Sequence, residues 1–83
     1  MPKGNGLLTL SEITTGEQVI VRAFQCGHAV ALRLASLGFT PGVMINMIQN
    51  HFRGPLIVLV RGTRIALGRG EARKIIVERD HDE

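Results

Sequence analysis

The sequence predicts a mainly β protein, a small barrel of about five strands with one short α-helix inserted after the first strand. Three observations lead to this prediction. The chain has 83 residues, of which 45% are hydrophobic and 20% charged, a composition that supports a packed core rather than disorder. Short runs rich in β-branched residues are separated by glycine-containing turns. One run of alanine and leucine then changes the hydrophobic period from that of a strand to that of a helix.

Five segments have the composition of short strands. In the first, Val19, Val21 and Ala23 alternate with Gln18 and Arg22, so the three apolar residues are expected to face the core. The third consists of five consecutive aliphatic residues, which indicates a strand that is buried on both faces or lies at the barrel centre. The five segments are residues 18–24, 43–49, 56–60, 63–67 and 75–80.

The predicted helix covers residues 27–37, GHAVALRLASL. Val30, Leu34 and Leu37 are spaced by four and three residues, which places them on one helical face. Alanine and leucine are strong helix formers. We therefore expect this face to pack on the barrel.

The residues after the helix predict a sharp corner. Gly38 is suited to the left-handed position that ends a helix, and Phe39 to the following position, which often packs back on the last turn. Pro41-Gly42 fits the centre of a type II turn, and Arg61-Gly62 fits a two-residue hairpin. The helix is thus expected to cap one end of the barrel and to redirect the chain into the next strand.

The sequence predicts one domain, residues 7–78, between a disordered N-terminal end, residues 1–6, and an acidic C-terminal tail, residues 79–83. Cys26 is the single cysteine, so an intrachain disulfide is impossible and a reducing cytoplasm is expected. The aliphatic run 56–60 is far shorter than the roughly 20 residues of a membrane-spanning helix. No leader is recognisable. We therefore expect a soluble, cytoplasmic protein.

Charge is distributed unevenly along the chain. Residues 22–74 contain eight basic residues and a single acid, whereas residues 78–83 contain four acids and one arginine. Such a basic body favours acidic partners, among them nucleic acid, a lipid surface or an acidic protein face. A basic surface that only keeps the protein in solution is the alternative.

No arrangement typical of an enzyme is recognisable. Glu12, Glu17 and Glu71 are far apart in the sequence and do not form an acid/base pair. Gly68-Arg69-Gly70 resembles the start of a phosphate-binding loop, but it lacks the third glycine and the lysine. A turn is the better interpretation of this segment, and we expect no enzymatic activity.

Cys26 and His28 form a Cys-x-His pair, and these two residues are the candidates for binding a transition metal ion. Structural zinc usually takes four ligands in two close pairs, whereas His51 and His81 lie in separate segments. Cys26 alternatively serves as a small hydrophobic residue at the junction between strand and helix. The sequence therefore predicts no cofactor, and it leaves metal binding by Cys26 and His28 as the open alternative.

A basic nucleic-acid-binding module is the alternative function that the residues leave open. Three Arg-Gly pairs and the positive charge favour it. The absence of tryptophan and tyrosine, and the presence of only three phenylalanines, count against base stacking. Nucleic acid is thus the less favoured partner.

Several segments together resemble the FeoA family, ferrous iron transport protein A. They are LTL…TTGEQVIV, RLASLGFTPGVMINM and GPLIVLVRGTRIALGRGEARKIIV, and the resemblance extends from Leu8 to Val77. The positions that match its structural signature are Gly16, Leu34, Leu37, Gly38, Pro41, Gly42, Ile65, Ala66 and Leu67. The same domain type also closes some iron-dependent repressors, but no DNA-binding helices precede it in this sequence.

The resemblance implies an SH3-like β-barrel with the helix inserted after the first strand. It also implies a cytoplasmic protein without enzymatic activity that regulates ferrous iron uptake. Its implied partner is FeoB, a large membrane transporter whose cytosolic domain hydrolyses GTP. The resemblance assigns no metal-ligand motif to Cys26 and His28.

Leu32, Arg33 and Phe39 are the residues that we expect at a partner-binding surface. The apolar residues of the helix are too many to be buried on one side, so some must remain on the surface. Arg33 is the single charged residue of the helix, and it either pairs with a carboxylate or carbonyl or serves as an exposed anchor. If the strand 56–60 lay at a sheet edge, it would also favour a homo-oligomer.

Overall fold

The computed structural model describes residues 7–79, which form one six-stranded antiparallel sheet in the order β1-β6-β2-β3-β4-β5. A 3-10 turn, Leu10–Glu12, follows the first strand. The strands are β1 (Leu7–Thr9), β2 (Gln18–Phe24), β3 (Met44–Gln49), β4 (Leu56–Val60), β5 (Thr63–Leu67) and β6 (Ile75–Arg79). The helices are α1 (His28–Ser36) and the short α2 (Arg69–Ala72).

The predicted mainly β fold is confirmed, with one strand more than expected. The additional strand is β1, in which Leu8 lies opposite Val77 of β6. Three residues are too few to show an alternating pattern in the sequence. Because of β1, helix α1 follows the second strand rather than the first.

The ends of the chain differ in one respect from the predicted domain boundaries. Arg79 belongs to β6 and pairs with Val19 of β2, so it is part of the sheet rather than of the acidic tail. The predicted disordered end, residues 1–6, and the rest of the predicted tail, residues 80–83, lie outside the described residues.

A single core lies under the inner face of the sheet. β4 was predicted to be buried on both faces or to lie at the barrel centre. Leu56, Val58 and Val60 are buried, while Ile57 and Leu59 on the other face are half-buried. β4 lies between β3 and β5, so its backbone is already paired on both sides. β4 is therefore not a sheet edge, and the predicted route to a homo-oligomer through this strand does not apply.

β2 departs from the predicted alternation. Val19 and Val21 are fully buried, but Ala23 is exposed. The pairing register with β6 shifts between Val21 and Ala23, and such a bulge turns the following side chain to the other face of the sheet. The prediction that Ala23 faces the core is therefore wrong.

The corner after α1 is a complete Schellman motif. Gly38 has φ +106°, and its N–H donates to the Ala35 carbonyl over 2.9 Å. The Phe39 N–H donates to the Leu34 carbonyl over 3.1 Å. These two bonds satisfy carbonyls that would otherwise be unpaired at the helix end, and they place the Phe39 ring in the core, fully buried.

Both predicted tight turns are present. The Val43 N–H donates to the Thr40 carbonyl over 3.0 Å across Pro41-Gly42, and Gly42 has φ +93°, as a type II turn requires. In the hairpin between β4 and β5, Arg61 and Gly62 have φ +52° and +80°. Two consecutive positive φ angles are typical of a type I′ turn.

Glu17 lies before β2 and links that strand to the last residue of β6. The Arg79 Nε donates to Glu17 Oε1 over 3.0 Å, and the Thr14 hydroxyl donates to Glu17 Oε2 over 2.6 Å. Burial raises the pKa of the Glu17 carboxyl, but the hydrogen bonds from Thr14 and Arg79 outweigh burial, so the pKa lies below its usual value. The charged form is therefore favoured in the folded protein.

Replacing Gly38 with alanine should destabilise the fold by about 1–2 kcal/mol, because an L-residue is strained in the left-handed region. A Cβ at this position would also lie 3.4 Å from Arg61 Cδ. The matched control is Gly70→Ala in α2, where a Cβ meets open space and stability should be unchanged or raised. Urea unfolding measures both free energies, and equal effects of the two substitutions would contradict this account.

Glu17→Gln should lower the free energy of unfolding at pH 7 by about 0.5 kcal/mol, as expected for an exposed ion pair. A carboxyl with a lowered pKa stabilises the folded state above its unfolded pKa, and this contribution is lost as the pH falls through the folded pKa. The difference from the unsubstituted protein should thus shrink below about pH 4. Unfolding curves at several pH values test this, and a pH-independent difference would contradict it.

Candidate functional site

Helix α1 presents an exposed face that is largely apolar. Its residues follow the spacing of one helical face, and all are exposed. Leu32 is 57% exposed and Leu37 is 40% exposed. We call this surface the α1 outer face; it consists of Ala29, Leu32, Arg33, Ser36 and Leu37.

The α1 outer face exists because the opposite side of the helix already fills the space over the barrel. Leu34 is fully buried and Val30 packs against the core. Leu37 was predicted to lie on this buried face, but it is the C-cap residue after the last helical turn, and it is exposed. The core position beside Leu34 is taken by Phe39 instead.

Of the three residues expected at a partner-binding surface, the structure brings Leu32 and Arg33 together on the α1 outer face. Phe39 is the exception, because its side chain has no exposed area. The Schellman motif turns this residue inward, so Phe39 supports the surface from below and does not contact a partner in this conformation.

Arg33 pairs with Glu71 of α2. This ion pair confirms the interpretation that Arg33 reaches a carboxylate. The Arg33 side chain is nevertheless 57% exposed, whereas that of Glu71 is 24% exposed, so the guanidinium also remains accessible from solvent. An arginine that is fixed by one carboxylate and still offers free N–H groups can accept a second acidic partner.

Arg61 adds a second guanidinium beside the corner. Its Nη2 donates to the Thr40 hydroxyl over 3.0 Å, and its aliphatic stem lies next to Gly38. Cations near the C-terminus of a helix interact favourably with the helix dipole. The exposed leucines of α1 are thus accompanied by two arginines, Arg33 within the face and Arg61 at its C-terminal end.

Sequence reasoning missed Glu71 and Arg61 as parts of this site. Glu71 is the single acid between Glu17 and Glu78, which makes it a candidate partner for the arginines of that stretch but does not select Arg33 among them. Arg61 was interpreted as a turn residue and as a member of one of the three Arg-Gly pairs. Its contact with Thr40 depends on the approach of the hairpin to the corner. No local sequence pattern reports that approach.

Cys26 and His28 do not form a metal centre with other side chains of the described region. Cys26 is half-buried before α1, and His28 is the first, exposed residue of the helix. Within residues 7–79, no three side chains of His, Cys, Asp or Glu are close enough to hold a metal ion. In the same residues, no helix is long and apolar enough to cross a membrane.

The Arg33–Glu71 pair should contribute about 0.5 kcal/mol of coupling energy, as partly exposed ion pairs do. The test is a double-mutant cycle with Arg33→Ala, Glu71→Ala and the double variant. Urea unfolding provides the four free energies. Additive single effects would show that the pair is not formed in solution.

Comparison with known proteins places these features in a family. The model of the FeoA domain matches residues 8–79. A curated protein of Methanocaldococcus jannaschii, named as an Fe(2+) transport protein A, is 43% identical over 63 residues, which is 76% of each chain. The match to the family model extends over most of the chain, including β2 to β6 and both helices.

Solved structures agree with this assignment. The crystal structure of an iron uptake regulatory protein (FeoA) has a TM-score of 0.85 and 36% identity, and the match covers 89% of this chain and 99% of that one. The zinc complex of FeoA from Stenotrophomonas maltophilia, described as an SH3 domain protein, has a TM-score of 0.76 and 36% identity over 86% of this chain and 89% of that one. The six-stranded sheet with α1 against one end is therefore an SH3-like fold, and the chain belongs to the FeoA family of ferrous iron transport accessory proteins.

Proposed function

We propose that this protein is a cytoplasmic, non-enzymatic regulator of ferrous iron uptake that binds a FeoB-type membrane transporter through the α1 outer face. Membership of the FeoA family supports the link to ferrous iron transport. The S. maltophilia relative is described with the proposal that it acts as a ferrous iron transport activating factor. The cytosolic GTPase domain of the transporter is the proposed binding partner.

The exposure of Leu32 and Leu37 on adjacent turns is the observation that carries this proposal. Complete burial of a leucine side chain is worth about 1.5–3 kcal/mol. Two leucines within one turn and a half of helix provide the apolar centre that small protein interfaces use, with an arginine among them as a frequent anchor. An amphipathic helix normally turns such residues inward.

The two arginines at the α1 outer face indicate what kind of partner surface would fit it. Arg33 and Arg61 lie on or beside the α1 outer face, so the partner should present an apolar cleft for the leucines with carboxylates at its margin. Glu71 already pairs with one nitrogen of the Arg33 guanidinium. A carboxylate of the partner would share that guanidinium or replace Glu71.

Nucleic acid remains the second partner to test, because residues 18–70 contain no acid. Phosphate binding loses affinity by orders of magnitude as salt rises, whereas a leucine-centred protein interface is much less sensitive. A salt titration therefore separates the two functions.

Leu32→Glu should weaken binding to the cytosolic GTPase domain of the cognate transporter by at least about tenfold, because it places a charge at the apolar centre. The matched control is Met44→Glu, which changes an exposed apolar residue of β3 and should leave the affinity within about twofold. Isothermal titration with and without GTP, at low salt and at about 0.15 M salt, measures both variants.

The proposal fails if the unsubstituted protein does not bind the domain in any nucleotide state, or if Leu32→Glu and Met44→Glu bind equally. Circular dichroism and urea unfolding of both variants establish that the fold is retained. Binding of a nucleic acid that disappears at high salt would favour the alternative.

A further inference from the structure

The loop between β3 and β4 presents an aromatic side chain to solvent. Phe52 is 56% exposed, and it lies between the exposed residues His51 and Arg53. Exposed single apolar residues are common on protein surfaces. The backbone and the contacts of Phe52, however, distinguish it from such residues.

Phe52 has φ +62°, a left-handed conformation that is unusual for a bulky side chain. Strain of this kind persists only where the surrounding structure enforces it, and it is enriched at functional sites. Here Asn50 enforces it, because its Oδ1 accepts the Phe52 N–H over 2.8 Å. The loop therefore holds the aromatic ring outward instead of folding it back onto the barrel.

Asn50 is itself buried and fixed. Its Nδ2 donates to the Ile13 carbonyl over 2.6 Å and to the Ser11 carbonyl over 3.2 Å. Its backbone N–H donates to the Thr15 hydroxyl over 3.0 Å. Several hydrogen bonds to one buried side chain make a rigid support, so the loop geometry is determined from the barrel.

Arg69 supports Phe52 from α2. Its Nη2 donates to Asn50 Oδ1 over 2.5 Å, and its guanidinium carbon lies 6.0 Å from the centre of the Phe52 ring, within the range of a cation–π contact. Within residues 7–79, the buried Arg69 Nε has no hydrogen-bond partner. A buried donor without a partner lowers the stability of the fold. Here this loss occurs at the residue that places a cation beside the exposed ring.

The stretch of sequence that carries this loop is basic. Residues 18–70, which include the loop and β4 and β5, contain six arginines and no aspartate or glutamate. Arg53 adjoins Phe52 and is exposed. The elements that the loop contacts do carry carboxylates, Glu12 in the 3-10 turn and Glu71 in α2, but these bond to Thr9 and Arg33 respectively. The loop itself contains no carboxylate.

We propose that the loop, through Phe52 and Arg53 and with Arg69 behind the ring, binds an anionic lipid surface. An aromatic ring beside cations matches the boundary between acyl chains and acidic headgroups, where the ring inserts and the exposed guanidinium of Arg53 meets phosphate. A single ring on a projecting loop needs no complementary pocket. This site is separate from the α1 outer face, and the proposal does not depend on the proposed function.

A strand of nucleic acid fits the loop less well than a lipid surface does. Binding of single strands uses successive aromatic platforms, but Phe39 is fully buried and Phe24 is half-buried against the core. Among residues 7–79, Phe52 is thus the one exposed phenylalanine. An anionic lipid surface can take up a single inserted ring. A polynucleotide bound at this loop, in contrast, would have only one base stacked on an aromatic side chain.

The test is sedimentation of the full-length protein with vesicles of phosphatidylcholine alone and with about one third phosphatidylglycerol. We expect binding to the anionic vesicles that weakens with salt, and about tenfold less binding to the neutral ones. Phe52→Ala should lower the partition coefficient on anionic vesicles roughly tenfold. The matched control, Met44→Ala, removes another exposed apolar side chain and should leave it unchanged.

Arginine variants of equal net charge test the location of the contact. Arg53→Gln should weaken binding about fivefold, whereas Arg22→Gln, which removes an arginine paired with Glu78, should change it less than twofold. Leu32→Glu should bind vesicles like Met44→Glu, which separates this proposal from the one for the α1 outer face. Equal binding to both vesicle types, no loss on Phe52→Ala, or binding of an oligonucleotide in place of the vesicles would overturn the proposal.

Discussion

Burial of Phe39 is the constraint on which the rest of the structure depends. The ring reaches the core because Gly38 accepts a left-handed conformation and the Phe39 N–H bonds to the carbonyl of Leu34. Once this ring fills the core beside Leu34, no space remains there for Leu37. Core volume is limited in a domain of this size, so the excess apolar residues of α1 lie outside. The exposed leucines are therefore a consequence of how the helix ends.

The same corner determines what surrounds those leucines. Gly38 has no side chain, so the stem of Arg61 lies against the corner and its guanidinium reaches Thr40. The turn at Pro41-Gly42 then returns the chain to β3, and the Gly42 N–H donates to the Val21 carbonyl over 2.7 Å. Termination of the helix, the position of one arginine and the start of the next strand thus follow from a few backbone bonds.

The sequence was sufficient to predict five strands, one helix, both tight turns and the mainly β class, because each depends on local residue type. It failed where the outcome depends on pairing between distant segments. The side on which Ala23 lies is set by a bulge against β6, and β1 exists because Leu8 meets Val77. Leu37 was expected in the core and is exposed, whereas Phe39 was expected at the partner-binding surface and is buried. The reason is related. The helical period of the apolar residues predicts that Leu37 faces the core. Leu37 and Phe39 compete for one core position, however, and the outcome depends on tertiary packing.

The candidate surfaces, too, were predictable only where they depend on residues that are neighbours in the sequence. An exposed arginine on an apolar helix was recognisable, whereas its partner Glu71 lies 38 residues later in the sequence and on another helix. The loop around Phe52 was recognisable as a loop, but its outward ring depends on Asn50 and Arg69. Asn50 bonds in turn to the carbonyls of Ser11 and Ile13, and no local pattern predicts such long-range contacts.

The short helix α2 links the two candidate surfaces. Glu71 pairs with Arg33 of α1, and Arg69, two residues earlier, supports the loop of Phe52. Residues two apart in a helix point in different directions, so four residues of α2 fix two separate surfaces relative to one barrel. The loop precedes β4 and Arg61 follows it, which separates the two regions by about 17 Å of strand. The barrel therefore holds the two surfaces for which partners are proposed, the Phe52 loop and the α1 outer face, at a fixed distance from each other. A change within α2 should therefore disturb both surfaces, whereas a change at either surface should leave the other intact.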